Sequence, residues 1–467
     1  MPTQARILKM INYIMNCLTR HARNKKIRNT TNLHNTTNLR NKTPRHGISG
    51  LAGFLLFFAS LSLMLTLPSA PAWAQTSSPV TVFIDGLPLE FDVPPLIKEG
   101  RTLVPFRAIA EGLRIQVDWN ETTQTVTGKT ATQTLLLKIG DHTAYLNGQA
   151  LSLDVPPEIN NARTLIPLRV FSETLGFTVD WLEHERTIKI FSPPSHMPVT
   201  GFYALGSSET SSWKNLFGTE FPQAGVGNTK NVSKLALGWY SLDEKGALLT
   251  KSTTGWQRPG GWETVLDAAE RYHLQTEMVV HMTDQNGSLR KLIADPAATA
   301  QAVANIAAEA GLYDGVNLDL EGLGWQEQGE TLAATRADFT NFVKLLYQKL
   351  QANQTKKATL TLTLHAPNSA YPGYDYQALA NWCDEIIIMA YDYGPKPEPL
   401  PLVQGAIESA LRMVPAHKLL LGISLPSERA ESLQQKIGLA KRYGLKGIAL
   451  WRLGLVSPEM WSVLERR

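Results

Sequence analysis

The segment Tyr313–Leu323, YDGVNLDLEGL, sets one amide and two carboxylates at alternate positions of what otherwise reads as a buried strand. Val316, Leu318 and Leu320 alternate with Asn317, Asp319 and Glu321. Successive side chains on a strand point to opposite faces, so the three polar residues share one face, with neighbours roughly 6–7 Å apart. Like charges at that spacing in a partly dry site raise the pKa of one member. A carboxyl that keeps its proton near neutral pH is what a general acid requires. The cost of burying these groups is tolerable if the strand exists to poise a proton.

Such a strand needs a scaffold, and the surrounding sequence supplies a repeating one. Apolar strand-like runs start at Val199, Ser233, Gln275, Tyr313, Ala358, Asp384, Lys418 and Gly447. Helix-like stretches lie between them, among them 295–311, 335–351 and 428–443. This alternation predicts an α/β fold, a (β/α)8 TIM barrel over residues 199–467. Chemistry in that fold sits at the carboxyl ends of the strands. Asp319, Glu321, Tyr391, Asp392 and Trp451 all fall at such ends. Trp239, Tyr240 and Tyr203 are further aromatic candidates for the cleft, although strand-end aromatics pack cores as often. His281 and His365 also lie near strand ends; without paired ligand spacing they read as hydrogen-bonded barrel histidines, and no metal or cofactor is expected.

Upstream, DVPPLIKEGRTLVPFRAIAEGLRIQVDW ends at Trp119 and DVPPEINNARTLIPLRVFSETLGFTVDW ends at Trp181, a gapless repeat at an offset of 62 residues. Asp85-Gly86 and Asn147-Gly148 fall in the same register, and both dipeptides suit tight hairpin turns. Each unit predicts a hairpin, a short amphipathic helix and a strand pair, making residues 80–192 a small α+β domain. FSPPSHMP then marks a linker at 193–198.

Residues 1–74 hold ten Lys or Arg and no Asp or Glu, while the whole 467-residue chain carries +4. The remainder therefore carries +4 minus +10, or −6, so the basic balance belongs to the leader and gives no support to a nucleic-acid partner. Ile48–Leu67 is uncharged, and Ala72-Trp73-Ala74 fits a small-x-small cleavage pattern. Export by a signal peptide cleaved after Ala74 is expected, to a secreted or cell-wall location. An uncleaved membrane anchor is the alternative, because the apolar run is long enough to span a bilayer. Without the leader's Cys17 only Cys383 remains, which excludes an internal disulfide and reads as a buried small hydrophobe.

Two resemblances sharpen these expectations. DGVNLDLE, Asp314–Glu321, resembles the D-G-x-D-x-D-x-E signature of glycoside hydrolase family 18, the chitinase-like family. MAYD, Met389–Asp392, resembles its sixth-strand motif, and Trp451 in GIALWRLG its eighth-strand tryptophan. Asn317 stands where the family usually has an aspartate. That exchange, with GWYSLDEKGAL at 238–248, is more similar to the peptidoglycan- and spore-cortex-acting branch. The resemblance implies that Glu321 protonates the glycosidic oxygen while the substrate's own N-acetyl group attacks the anomeric carbon. It implies that Asp319 orients that acetamido group, that Tyr391 bonds its oxygen, and that Asp392 and Met389 help hold the sugar over Trp451. Asn317 would contribute a hydrogen bond to Asp319, and Tyr240 a further substrate contact. Residues 80–192 resemble the copper-amine-oxidase N-terminal-like domain of exported bacterial proteins. Only His142 and His184 occur there and no cysteine, so the expectation is a structural or wall-associating module rather than a copper site.

The function expected is an exported N-acetylglucosaminidase-type hydrolase of peptidoglycan or spore cortex, its partner a glycan polymer containing N-acetylglucosamine. A chitinase, a non-catalytic wall-binding protein and a membrane-anchored scaffold are the alternatives. Between the seventh and eighth strands only one helix fits, which predicts an open groove.

Overall fold

The computed structural model describes residues 79–204, 210–252, 256–353 and 357–467. The leader, its apolar run and the expected cleavage after Ala74 lie outside the described residues. Among the described residues no helix is long and apolar enough to cross a membrane.

The first half of the described chain builds the same elements twice. Strands β1 (Thr81–Ile84), β2 (Leu87–Leu89), β3 (Leu96–Lys98) and β4 (Arg101–Pro105) lead to helix α1 (Phe106–Gly112), then β5 (Gln116–Asn120) and β6 (Thr125–Lys129). After β7 (Thr134–Lys138) the series recurs as β8 (Thr143–Leu146), β9 (Gln149–Ser152), β10 (Glu158–Asn160), β11 (Arg163–Pro167), α2 (Leu168–Thr174), β12 (Thr178–Leu182) and β13 (Thr187–Phe191). The two series do not fold as separate units. β4 and β11 run antiparallel with Val104 opposite Ile166, residues 62 apart, so each central residue pairs with its own counterpart about a local twofold axis. The hairpin of the first series joins the strand pair of the second, in the order β12-β13-β1-β2. The second hairpin joins the first strand pair through β7, in the order β5-β6-β7-β8-β9. Two cross-repeat ion pairs repeat the symmetry: Arg101 to Asp154 at 2.6 Å and Arg163 to Asp92 at 2.5 Å.

The second half is a closed parallel barrel. Its strands are β14 (Val199–Tyr203), β15 (Lys234–Leu242), β17 (Gln275–Thr283), β18 (Gly315–Glu321), β19 (Thr359–His365), β20 (Glu385–Met389), β21 (Leu419–Ser424) and β22 (Gly447–Trp451), with the short β16 (Leu248–Leu249) hairpinned onto β15. β14 pairs with both β22 and β15, which closes the ring. A single main helix, Ala430–Arg442, connects β21 to β22. The interior is layered, as side-chain alternation in a barrel requires. A small apolar layer of Phe202, Ala236, Val279, Ile387, Leu420 and Ala449 crosses the middle. Outward-facing residues of the same strands form the much larger core beneath the helices, where Cys383 is also buried.

Below the apolar layer, at the amino ends of the strands, Lys234 bridges Glu277 at 2.7 Å and Glu385 at 2.9 Å. Lys446 also reaches Glu385, at 2.6 Å, and the Thr361 hydroxyl donates to Glu277. Burial pushes the Lys234 ammonium down, but the two carboxylates outweigh it and hold it above its ordinary range. Removing one partner of a buried ion pair leaves the other charge uncompensated. Lys234→Met is therefore expected to cost about 3–5 kcal/mol of stability, measured as a loss in urea unfolding free energy at unchanged m-value; a change inside measurement error would contradict it.

The repeat domain rests on the barrel. Leu87 belongs to the barrel's outer core, and Arg114 Nη1 donates to the Lys441 carbonyl at 2.8 Å. A Cβ on Gly438 would stand 2.4 Å from the Asp85 carbonyl oxygen, so only glycine lets the β1–β2 turn lie against helix Ala430–Arg442.

Candidate active site

Above the apolar layer, the carboxyl ends of β17, β18 and β19 bring two acids and two histidines together. In the β17–β18 register His281 stands beside Asp319 and Thr283 beside Glu321. His281 Nε2 lies 3.6 Å from Glu321 Oε1, and His365 Nε2 lies 3.8 Å from Glu321 Oε2. Each carboxylate oxygen of Glu321 thus faces a histidine. Each histidine is in turn backed by a flat ring: Trp256 stacks on His281 at 4.6 Å and 9°, and Tyr371 on His365 at 4.1 Å and 22°. A Cβ on Gly238 would come within 2.2 Å of the Trp256 ring, so the glycine makes room for the indole. Trp451 also stacks on Trp256, at 5.3 Å.

The turn after Glu321 is pinned from below. The Tyr374 hydroxyl donates to the Leu320 carbonyl at 2.8 Å and accepts from the Leu323 amide at 3.3 Å. Asp314, which opens the motif, accepts from the Thr276 amide at 2.9 Å and ties β18 to β17. Its role here is to hold strand register.

The two carboxyls differ in environment. Asp319 is 3% exposed, and its Oδ1 has no hydrogen-bond partner. Burial, and then the neighbouring Glu321, hold its carboxyl well above the ordinary carboxylate range. Glu321 is more open. Burial pushes it up, but His281, with His365 and Asp319 adding, outweighs that and brings it below its ordinary value. With Asp319 raised and Glu321 lowered, a proton shared by the pair favours Asp319. The raised member of the pair is Asp319, so Glu321 can act as an acid only after taking that proton from its neighbour. Burial lowers His365 despite Glu321 and Asp392, and burial together with the three nearby acids raises Tyr391 well above its usual range.

Other sequence-derived candidates are distributed unevenly. Met389 ends β20 next to His365 in register and is almost fully buried. Asp392 is exposed at positive φ, its amide donating to Glu398 at 3.1 Å. Trp451 is half-buried against Phe202 and Trp256. Asn317 is fully buried one step lower in the barrel. Its amide donates to Glu277 at 3.2 Å and its carbonyl accepts from Thr363 at 2.8 Å, so it ties the floor of the site to the ion network rather than bonding Asp319. Tyr240 is not in the cleft. The register between β15 and β17 slips between Leu237 and Tyr240, and this bulge turns Tyr240 outward. Its hydroxyl meets Glu309 and Tyr313, each at 2.7 Å, and accepts from Arg258. Trp239 and Tyr203 are likewise buried in the helix-facing core.

Three residues not anticipated from sequence complete the cleft: Trp256, Tyr371 and Trp325. Trp325 is 52% exposed and leans on Tyr371 at 5.4 Å. All three sit in loops, where no periodicity marks them. His281, Asp319 and Glu321 also offer ligand atoms within 4.8 Å of one another, the one such trio among the described residues.

Residues 211–428 match the glycosyl hydrolases family 18 model, and residues 83–190 match the copper amine oxidase N-terminal domain model. The barrel is a family 18 glycosyl hydrolase domain. The chain is similar in fold to a chitinase from Chromobacterium violaceum ATCC 12472, at 20% identity over 58% of this chain and 98% of that one, with a TM-score of 0.47. It is also similar to the spore cortex-lytic enzyme SleL of Bacillus megaterium QM B1551, at 17% identity over 59% and 76% of the two chains, with a TM-score of 0.47. A class V chitinase from Pseudomonas fluorescens Pf-5 shows 20% identity over 58% and 99%, with a TM-score of 0.48. No curated protein is a significant match. The family 18 domain makes the protein a glycoside hydrolase, and the family implies a polymeric N-acetylglucosamine glycan as substrate.

One consequence for this domain follows from the histidines. Removing His281 takes away the strongest influence lowering Glu321, so the pair should accept its second proton at higher pH. His281→Asn is expected to move the acid limb of the kcat/KM–pH profile upward; an unmoved or lowered limb would contradict the assignment.

Proposed function

We propose that the protein is an exported hydrolase that cleaves β-1,4 bonds at N-acetylglucosamine in peptidoglycan or spore cortex, with retention of configuration. The observation that carries the catalytic part is the Asp319–Glu321 pair, one carboxyl dry and held above its ordinary range, the other open to the cleft and held below it. Substrate binding brings an acetamido group against Asp319, and the proton moves to Glu321. The acetamido oxygen then attacks the anomeric carbon, the glycosidic bond breaks, and the leaving oxygen takes the proton from Glu321. The Asp319 carboxylate left behind balances the cyclic oxazolinium cation. Water opens that ring with Glu321 now acting as base. Tyr391 donates to the acetamido oxygen, and Trp451 provides the apolar floor on which the sugar ring lies.

The choice of a bulky wall polymer over chitin is supported by the short connection between β21 and β22, with only one main helix, and by the exposed Trp325. The leader sequence supports export, and residues 80–192 would keep the enzyme on the wall. Release of reducing ends from purified cortex, peptidoglycan and chitin tests the reading. Faster release from cortex or peptidoglycan supports it, faster release from chitin reassigns the substrate, and no release from any of them would favour a sugar-binding protein.

A further inference from the structure

We infer that the repeat domain carries two related aromatic surfaces, one completed by each repeat, that hold a neutral pyranose polymer. The first is a groove of about 620 Å³ between β3–β4 of the first repeat and α2–β12 of the second. Trp181 and the exposed Ile97 supply its apolar surface. Its charged groups balance: Arg101, Arg169 and Arg186 against Asp154, Glu173 and Glu183. The pair of Arg101 with Asp154 ties one repeat to the other across the groove, and the Trp181 indole N–H donates to Glu183, which fixes the ring.

A flat indole bordered by planar guanidinium and carboxylate groups fits a sugar. The ring stacks on the C–H face of a pyranose while the planar groups exchange hydrogen bonds with its hydroxyls. Three charges of each sign favour an uncharged ligand over a polyanion, which would need a net basic surface.

Duplication strengthens the case. At the same offset the other repeat places Trp119 for Trp181, Ile159 for Ile97, Arg107 for Arg169 and Glu111 for Glu173, with Gln124 in place of Arg186. Trp119 is 41% exposed and Ile159 51% exposed, while Trp181 is half-buried against the domain core. Neither isoleucine belongs to the domain's apolar core. Packing of the domain does not require the exposed Trp119, nor an exposed isoleucine in each repeat. A ligand that repeats along its own length would use both, since two linked sites bind such a polymer far more tightly than one, by about 10²–10⁴-fold when both engage.

The test is retention of the full chain carrying Glu321→Gln on three insoluble polymers: peptidoglycan, chitin and cellulose. Adding Trp119→Ala and Trp181→Ala together is expected to weaken retention on at least one of them by tenfold or more, with each single change giving part of the loss. The paired Trp→Phe variant should keep most of the binding, because it preserves a stacking face. In the Glu321-intact chain, the paired alanine variant should hydrolyse short soluble N-acetylglucosamine oligomers at the unaltered rate. Undiminished retention of the paired alanine variant on all three polymers would overturn the inference, as would phenylalanine variants no better than alanine. Retention is read separately from turnover, so the outcome does not depend on which glycan the barrel cuts.

Discussion

Glu321→Gln is expected to lower kcat by about 10²–10⁴-fold, the range a positioned general acid contributes, with a much smaller change in KM. The amide keeps the size and the contacts of the carboxyl but has no proton suited to the leaving oxygen and cannot act as the base in the second step. Its fold should be unaffected, because Glu321 is partly open to the cleft and none of the strand's ladder bonds uses its side chain. Loss of kcat at constant KM separates removal of a transition-state interaction from loss of binding. Comparable turnover by the wild type and Glu321→Gln on the same glycan would remove Glu321 from the chemistry and leave the proton on Asp319 without a recipient.

Much of this site can be seen in the amino-acid string, and the parts that cannot share a physical reason. Alternation along β18 places Asn317, Asp319 and Glu321 on one face, and in the structure all three point into the barrel. Alternation says nothing of depth: Asn317 lies at the level of Glu277 and Thr363, whereas Glu321 reaches the cleft. The period also fails where the backbone does. A bulge in β15 turns Tyr240 into the helix layer, and a bulge leaves no mark in the apolar pattern of KLALGWYSL. Trp256 owes its place to the missing side chain at Gly238 and to the ring of His281, contacts made across three different segments. The repeat domain shows the same limit. The 62-residue periodicity predicts which elements form, but pairing is a tertiary choice, and β7 lets the second hairpin join the first repeat's sheet.

Asp319→Asn separates the place where the proton rests from the place where it is used. In the wild type the pair holds one proton, and its loss sets the alkaline limb of kcat/KM as a property of both groups. That limb lies above the ordinary carboxylate range because Asp319 is buried beside Glu321. With asparagine at 319, only Glu321 remains to titrate. The amide can donate to it, and His281 and His365 still face its two oxygens, so it gives up its proton at lower pH. The alkaline limb is therefore expected to move toward acid, and kcat to fall by about 10²-fold or more, as the loss of a charge preorganised against the cationic intermediate requires. Stability should move the other way. A carboxyl whose folded pKa is raised contributes full stability below its unfolded pKa and loses it as pH rises through the folded value. Burial and Glu321 both oppose ionisation of Asp319, and no neighbouring cation among the described residues offsets them. Asp319→Asn should thus match the wild type at acid pH and melt at higher temperature on the alkaline side, where the wild type must hold a second charge in a dry layer. A variant less stable than the wild type at every pH, or an alkaline limb that stays in place, would put the resting proton on Glu321 instead.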